Sequence, residues 1–238
     1  MLKKYILALF LFFVVVIGSQ YVNFNTSYNV GSVRQVYNSS LEKSKFSVKE
    51  IMEENEKISI RAYFPETKYQ KCNEIIQNYI NSEIKLFKNE SEHFDGENEK
   101  CTFDVTFDSY EYDKYISIIL NITYFTGGAH PNEIIKSVCF DTKNNLEITI
   151  DDLVKNNNHI LGKLSSITYE VLKNEERVKE YGNEEMLKDG TKPLATSFGN
   201  FAFTKNGMII FFNRYQVAPY VAGTFKVNIS YEQLELNI

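Results

Sequence analysis

The stretch Tyr124-Phe125-Thr126-Gly127-Gly128-Ala129-His130-Pro131-Asn132 decides how the chain is divided. A long apolar strand stops there and the backbone must turn sharply. Two adjacent glycines, one of three histidines and one of four prolines fall within it. Glycine reaches positive φ without steric cost and proline fixes its own φ, so such a cluster marks either a ligand loop or a hinge. Gly127 and Gly128 are read here as the structural turn that joins two subdomains.

Working back from that turn, Ile116, Ile118, Leu120, Ile122 and Tyr124 recur at every second position. Phe103, Val105 and Phe107 alternate with Thr102, Asp104 and Thr106. A period of two places one set on a buried face, which predicts an antiparallel strand pair joined through Ser109 to Lys114. Further upstream, Cys72, Ile75, Ile76, Tyr79, Ile80, Ile84 and Phe87 step by three and four, predicting an amphipathic helix within 67–87. Ile58, Ile60, Ala62 and Phe64 predict one more strand, closed by Pro65. The acidic run Asn89 to Lys100 lacks the D-x-D-x-D-G spacing of a calcium loop and reads as a solvated connection.

Beyond the turn, Ile134 to Asp141 and Leu146 to Ile150 predict two strands around an Asn-rich turn. Asp151 and Asp152 stand where a helix begins, ahead of a helical face of Ile160, Leu161, Leu164, Ile167, Thr168, Val171 and Leu172. Lys173 to Lys192 mixes charges of both signs and reads as solvated helix and loop. Asn206-Gly207 predicts a hairpin between Phe201–Phe203 and Met208–Phe212. Phe225, Val227 and Ile229 predict a closing strand, and Tyr231 to Leu234 a short helical turn. The predicted fold class is α+β, with two small subdomains, each a mostly antiparallel sheet packed with one or two helices.

The expected division is a signal peptide or membrane anchor over 1–20, a flexible stalk over 21–50, an N-terminal subdomain over 51–130 and a C-terminal subdomain over 131–238. Lys3 and Lys4 precede the uncharged run Tyr5 to Ile17, and Gly18-Ser19 supplies small residues for cleavage. The run is shorter than the ~20 residues of a bilayer span, so an uncleaved anchor has to recruit residues as far as Val22. Either way the remainder is extracytoplasmic, and contact with membrane is expected only through this uncleaved segment. Without Lys3 and Lys4 the chain keeps 24 basic residues against 31 acidic ones, a net charge of −7. Such a surface steers cationic partners in and repels nucleic acid. Cys72, Cys101 and Cys139 are odd in number, as expected for one bridge plus a free thiol or for three reduced thiols.

Chemistry is sparse. His130, Glu133 and Asp141 are the candidates for a metal or hydrolytic site, but no second histidine lies at ligand spacing and there is no HExxH. No G-x-S-x-G elbow is present, and neither His93 nor His159 has the setting of a catalytic base. Gly127-Gly128 precedes a strand, so it is no phosphate loop. No cofactor is expected, and no catalytic or metal-binding set is assigned. Recognition remains, with Tyr124, His130, Asn132, Tyr215, Gln216 and Tyr220 as candidate partner-binding residues on loops. Pro219 and Gly223 are the structural turn residues of the second unusual stretch, 213–223.

Taken together, "YFTGGAHPN" at 124–132, "CFDTKNNLEITIDDLV" at 139–154 and "FFNRYQVAPYVAGTFKVNISY" at 211–231 resemble the extracytoplasmic module of RsiV-like anti-sigma factors. The same module stands ahead of the catalytic domain in PdaC-like peptidoglycan deacetylases. The likeness covers roughly residues 50–238. It implies an outer binding module whose partner is lysozyme or another cationic wall-active protein, or peptidoglycan. In that family sigma-factor inhibition belongs to a cytoplasmic segment and deacetylation to a separate metal-dependent domain. The sequence thus leads to a non-enzymatic envelope binding protein, with a small wall-glycan hydrolase or deacetylase using His130 and nearby acids as the alternative.

Overall fold

The computed structural model describes residues 46–94, 96 and 99–236. The expected signal or anchor segment and the stalk as far as residue 45 lie outside them. Two antiparallel-rich sheets and their helices make up the α+β fold, with strand order β1-β2-β3-β4-β5-β6 in a six-stranded sheet and β7-β8-β9 in a three-stranded one.

The first sheet is built from β1 (Ser47–Glu54), β2 (Ile58–Glu66), β3 (Cys101–Tyr112), β4 (Tyr115–Phe125), β5 (Asn132–Asp141) and β6 (Leu146–Ile148). Every pairing is antiparallel except β2 with β3, which the helix α1 (Gln70–Ser91) connects as a crossover. Parallel neighbours need such a connection because a tight turn cannot reverse the chain twice. The alternation seen in the sequence aims Ile60, Ala62, Phe64, Phe103, Val105, Ile118, Leu120 and Ile122 at α1, where they meet Cys72, Ile76, Ile80 and Phe87 in one core. Pro65 lies within β2 rather than ending it. Its missing N–H faces β3, which pairs with β2 only as far as Ala62, so no ladder bond is lost.

The expected stalk is corrected at its end, because Ser47–Glu50 belong to β1. The expected subdomain boundary moves as well. The Gly127-Gly128 turn, with φ of 103° and 105°, closes a hairpin between β4 and β5 inside one sheet. A Cβ on Gly127 would lie 2.6 Å from the Phe94 ring, so both conformation and space demand glycine. The chain leaves the first sheet only at Thr149, whose side chain and that of Asp152 form a capping box on α2 (Ile150–Asn156). The expected single helix is broken at Asn157–His159, and its continuation is α3 (Ile160–Lys173). The charged segment folds as two short helices, α4 (Glu176–Tyr181) and α5 (Glu184–Gly190).

The second sheet contains β7 (Phe201–Thr204), β8 (Gly207–Phe212) and β9 (Phe225–Ile229), and α6 (Tyr231–Leu234) closes the described chain. The hairpin turns at Lys205-Asn206, as Asn-Gly chemistry predicts. Its core of Phe198, Phe201, Phe203, Ile210, Phe212 and Val227 is shared with Leu164 and Leu172 of α3.

The two sheets are sewn together by small polar side chains. The N–H groups of Phe201 and Phe203 on the free edge of β7 donate to Ser137 Oγ (2.9 Å) and Ser117 Oγ (3.0 Å). On the free edge of β5, Ile135 N–H donates to Asn213 Oδ1 (2.6 Å) and Ser137 N–H to Asn200 Oδ1 (3.1 Å). Buried edges cost dearly when unpaired, so these four bonds let one sheet's edge lie against the other's face. Cys139 enters the same seam, its thiol donating to Phe201 O at 3.0 Å. All three cysteines are buried free thiols, so no disulfide forms.

Candidate functional site

The two unusual stretches meet where β5 begins. Glu133, the second residue of β5, accepts two bonds of 2.8 Å from Arg214, through Nε and Nη2. Planar guanidinium and carboxylate match in shape, which makes this fork directional as well as electrostatic. The carboxylate also pushes the Arg214 guanidinium further up from its already high range.

Tyr220 lies between two cationic or aromatic neighbours. The His130 ring stacks on it at 3.5 Å between centroids and 17° between planes. The Arg214 guanidinium sits 4.1 Å from the same centroid. Two groups this close to one ring centre must occupy opposite faces, so Tyr220 is sandwiched. Its hydroxyl donates to Pro131 O at 2.6 Å, which ties the loop to the β4–β5 hairpin. His130 Nδ1 stands 3.1 Å from the same carbonyl.

The loop is held from the other side by Arg177 of α4. Arg177 Nη1 donates to Ala222 O (2.7 Å) and Thr224 O (3.2 Å), while the guanidinium lies over the Phe225 ring. Pro219 opens a single 3-10 turn over Tyr220–Ala222, and Gly223 closes it with φ of 80°. A Cβ on Gly223 would lie 3.2 Å from Arg177 Nη1. On this braced loop two large apolar side chains still face solvent: Tyr215 is 56% exposed and Val221 65%. Tyr215 is held at φ of 63°, a conformation that costs energy for a residue with a Cβ.

The candidate residues divide accordingly. His130, Tyr215, Tyr220, Pro219 and Gly223 come together. Tyr124 does not join them: its side chain packs with the first core on the α1 face, where burial, with Glu90 and Glu83 close by, pushes its hydroxyl pKa up. Asn132 pairs with Tyr124 across the β4–β5 ladder, and directly opposed residues share a face. Gln216 is turned inward. Its amide donates to Ser197 O (2.9 Å) and Gly190 O (3.3 Å), and its Oε1 accepts from Asn213 N–H (3.1 Å). That leaves it as a tie between the loop and α5.

The hydrolytic set does not form. Glu133 and Asp141 stand at opposite ends of β5, roughly 27 Å apart at ~3.4 Å per residue. Asp141 is 2% exposed and anchors its own turn, accepting from Lys143 N–H and Asn144 N–H at 2.9 Å each and from the Asn144 amide at 2.8 Å. Among the described residues no group of three or more His, Cys, Asp or Glu is placed to hold a metal ion. Sequence reasoning did not single out Arg214, Arg177 or Val221. The available signal was an acid, Glu133, directly after one unusual stretch and an arginine within the other.

These features define a two-sheet α+β module in which the second sheet, its helices and the braced loop form one recognisable unit. Residues 151–232, from α2 to α6, match the family model described as "Protein of unknown function (DUF3298)". Over 169 residues the chain is 27% identical to the peptidoglycan-N-acetylmuramic acid deacetylase PdaC of Bacillus subtilis (strain 168), a match over 70% of this chain. The match spans only 36% of that relative's length. The fold is shared with a DUF3298 family member from Bacteroides fragilis NCTC 9343, at a TM-score of 0.54 and 16% identity, covering 80% of this chain and 92% of the other. A DUF3298 family protein from Pseudomonas aeruginosa PAO1 gives a TM-score of 0.51 at 12% identity, covering 81% and 94%.

Proposed function

We propose that this chain is a non-enzymatic, extracytoplasmic binding module of the cell envelope, and that the loop 213–223 is its recognition surface. One observation carries the reading. Tyr215 and Val221 are presented to solvent by a backbone that Arg214, Arg177 and Tyr220 fix in place. A soluble surface gains nothing from holding apolar side chains outward in a strained conformation. A binding surface does, because ordering the loop in advance removes an entropic cost of association.

The partner class is a cationic wall-active protein such as lysozyme, or peptidoglycan itself. The acidic balance of the chain supports a cationic partner through steering. The similarity to a peptidoglycan deacetylase supports a place at the wall. Pull-down of a cationic muramidase, and co-sedimentation with purified peptidoglycan, test the two ligand classes in parallel. Retention in neither assay contradicts the proposal.

A further inference from the structure

The outer edge of the first sheet carries a second interaction surface, independent of the braced loop. β1 is eight residues long and, among the described residues, pairs only with β2. It contains no proline, so every residue in it keeps a backbone N–H for pairing. Asn55 N–H donates to Ile58 O at 3.0 Å, which makes that a hydrogen-bonded pair of the β1–β2 ladder. Counting back by twos, Glu53, Ile51 and Lys49 direct their N–H and C=O groups at β2. Val48, Glu50, Met52 and Glu54 therefore direct theirs outward, away from the sheet.

We propose that this edge pairs with the same edge of a second copy of this chain, antiparallel and centred on Ile51. Such a pairing is self-consistent at every position. Glu50 and Met52 exchange hydrogen bonds with Met52 and Glu50 of the second copy, as do Val48 and Glu54 with their counterparts. Ile51 opposes Ile51 across the two-fold axis in a non-hydrogen-bonded pair, where side chains approach most closely. Lys49 then opposes Glu53 twice, once on each side of the axis.

Charge selects this alignment over its neighbours. Moving the centre one residue toward Met52 opposes Glu50 to Glu54 twice, and like charges directly opposite are destabilising. Moving it toward Glu50 opposes two Glu50 side chains. At the proposed alignment, each Lys49 is already bound to Glu66 (2.8 Å) and each Glu53 to Lys88 of α1 (2.5 Å), all on one face of the sheet. Pairing two copies thus orders Glu66, Lys49, Glu53 and Lys88 into a row of alternating sign, formed once on each side of the axis. Ile51, half-buried in one copy, loses its remaining solvent contact. Two linked modules also present two braced loops, so a repeating or surface-bound ligand is held with avidity.

The contact is one strand wide and is a weak association on area alone. Its test is a crosslink with charge variants, using the full chain in mild detergent. Ile51→Cys places two thiols in a cross-strand pair ~4.5 Å apart between Cα atoms, within disulfide reach. Mild oxidation of Ile51→Cys yields a covalent dimer, whereas the wild type, with its three thiols buried, does not. Adding Lys49→Glu to Ile51→Cys reduces the dimer yield at least several-fold, and adding Glu53→Lys as well restores it. A yield indifferent to Lys49→Glu, or no dimer from Ile51→Cys when circular dichroism shows it folded, overturns the proposal.

Discussion

Arg214 and Glu133, separated by 81 positions in the chain, meet through two hydrogen bonds of 2.8 Å and lock the loop of the second sheet onto the second residue of β5, just beyond the β4–β5 turn. The guanidinium is 19% exposed and the carboxylate 36%, so solvent screens the pair in part. The bond therefore matters more for where the loop sits than for how stable the fold is.

Arg214→Lys keeps the charge and loses the fork and the stacking on Tyr220. We expect a loss of about 1 kcal/mol in denaturant unfolding. We also expect faster amide exchange across residues 215–222, with the second core unchanged. Hydrogen exchange read by mass spectrometry distinguishes loosening of the loop from general destabilisation.

The serine seam gives a sharper stability prediction. Ser117 is 0% exposed and Ser137 5%, and each accepts a bond from a buried β7 N–H. Ser137→Ala or Ser117→Ala leaves that N–H without an acceptor, at a cost of about 1–3 kcal/mol. Equilibrium urea unfolding measures it, and a loss below a few tenths would show that the seam does not hold the sheets together.

How far the sequence reveals this fold depends on how local each signal is. The β3–β4 pair and α1 are legible because Phe103, Val105 and Phe107 bury alternate positions, Ile116, Ile118, Leu120 and Ile122 share one face of β4, and Cys72, Ile76 and Ile80 bury every fourth. β1 is not legible, since an edge strand with only Val48 and Ile51 half-buried leaves no alternation to read. The Gly127-Gly128 turn is visible as a turn, yet a hairpin and an inter-domain hinge ask the same of two glycines. Only the pairing of β5 with β4, set by residues far from the turn, tells them apart. The Arg214–Glu133 fork and the inward Gln216 amide are long-range contacts that no spacing encodes.

Burial pushes the Cys139 thiol up to about 12 and the Cys72 thiol up to about 11, from an ordinary value of 9.0. The folded state holds both protons where the unfolded chain has lost them. Stability from these thiols is therefore fully present below pH 9 and declines as pH rises from about 9 toward 11–12. A Cys139→Ala variant should show a shallower decline over that window. At pH 8 the native protein should resist alkylation at all three cysteines, and denaturation should expose all three.

Asp152 moves the other way. Bonds from the Thr149 hydroxyl, Lys155 and the Thr149 N–H hold its carboxyl at about 2, below the ordinary 3.8. Its contribution is present above pH 3.8 and is lost as pH falls toward 2. Thr149→Ala, which removes the cap, should cost about 1 kcal/mol at neutral pH. Thermal unfolding of the pair at pH 7 and pH 2.5 checks the sign, because the difference should shrink in acid.

The central claim, that the braced loop is the recognition surface, is tested most directly by ligand binding to a Tyr215→Ala/Val221→Asp double variant. Both side chains are exposed, so the fold should keep its stability within about 0.5 kcal/mol. Titration calorimetry against a cationic muramidase, alongside sedimentation with peptidoglycan, should show at least a tenfold loss of affinity for whichever ligand the wild type binds. Undiminished affinity of the folded double variant would contradict the claim.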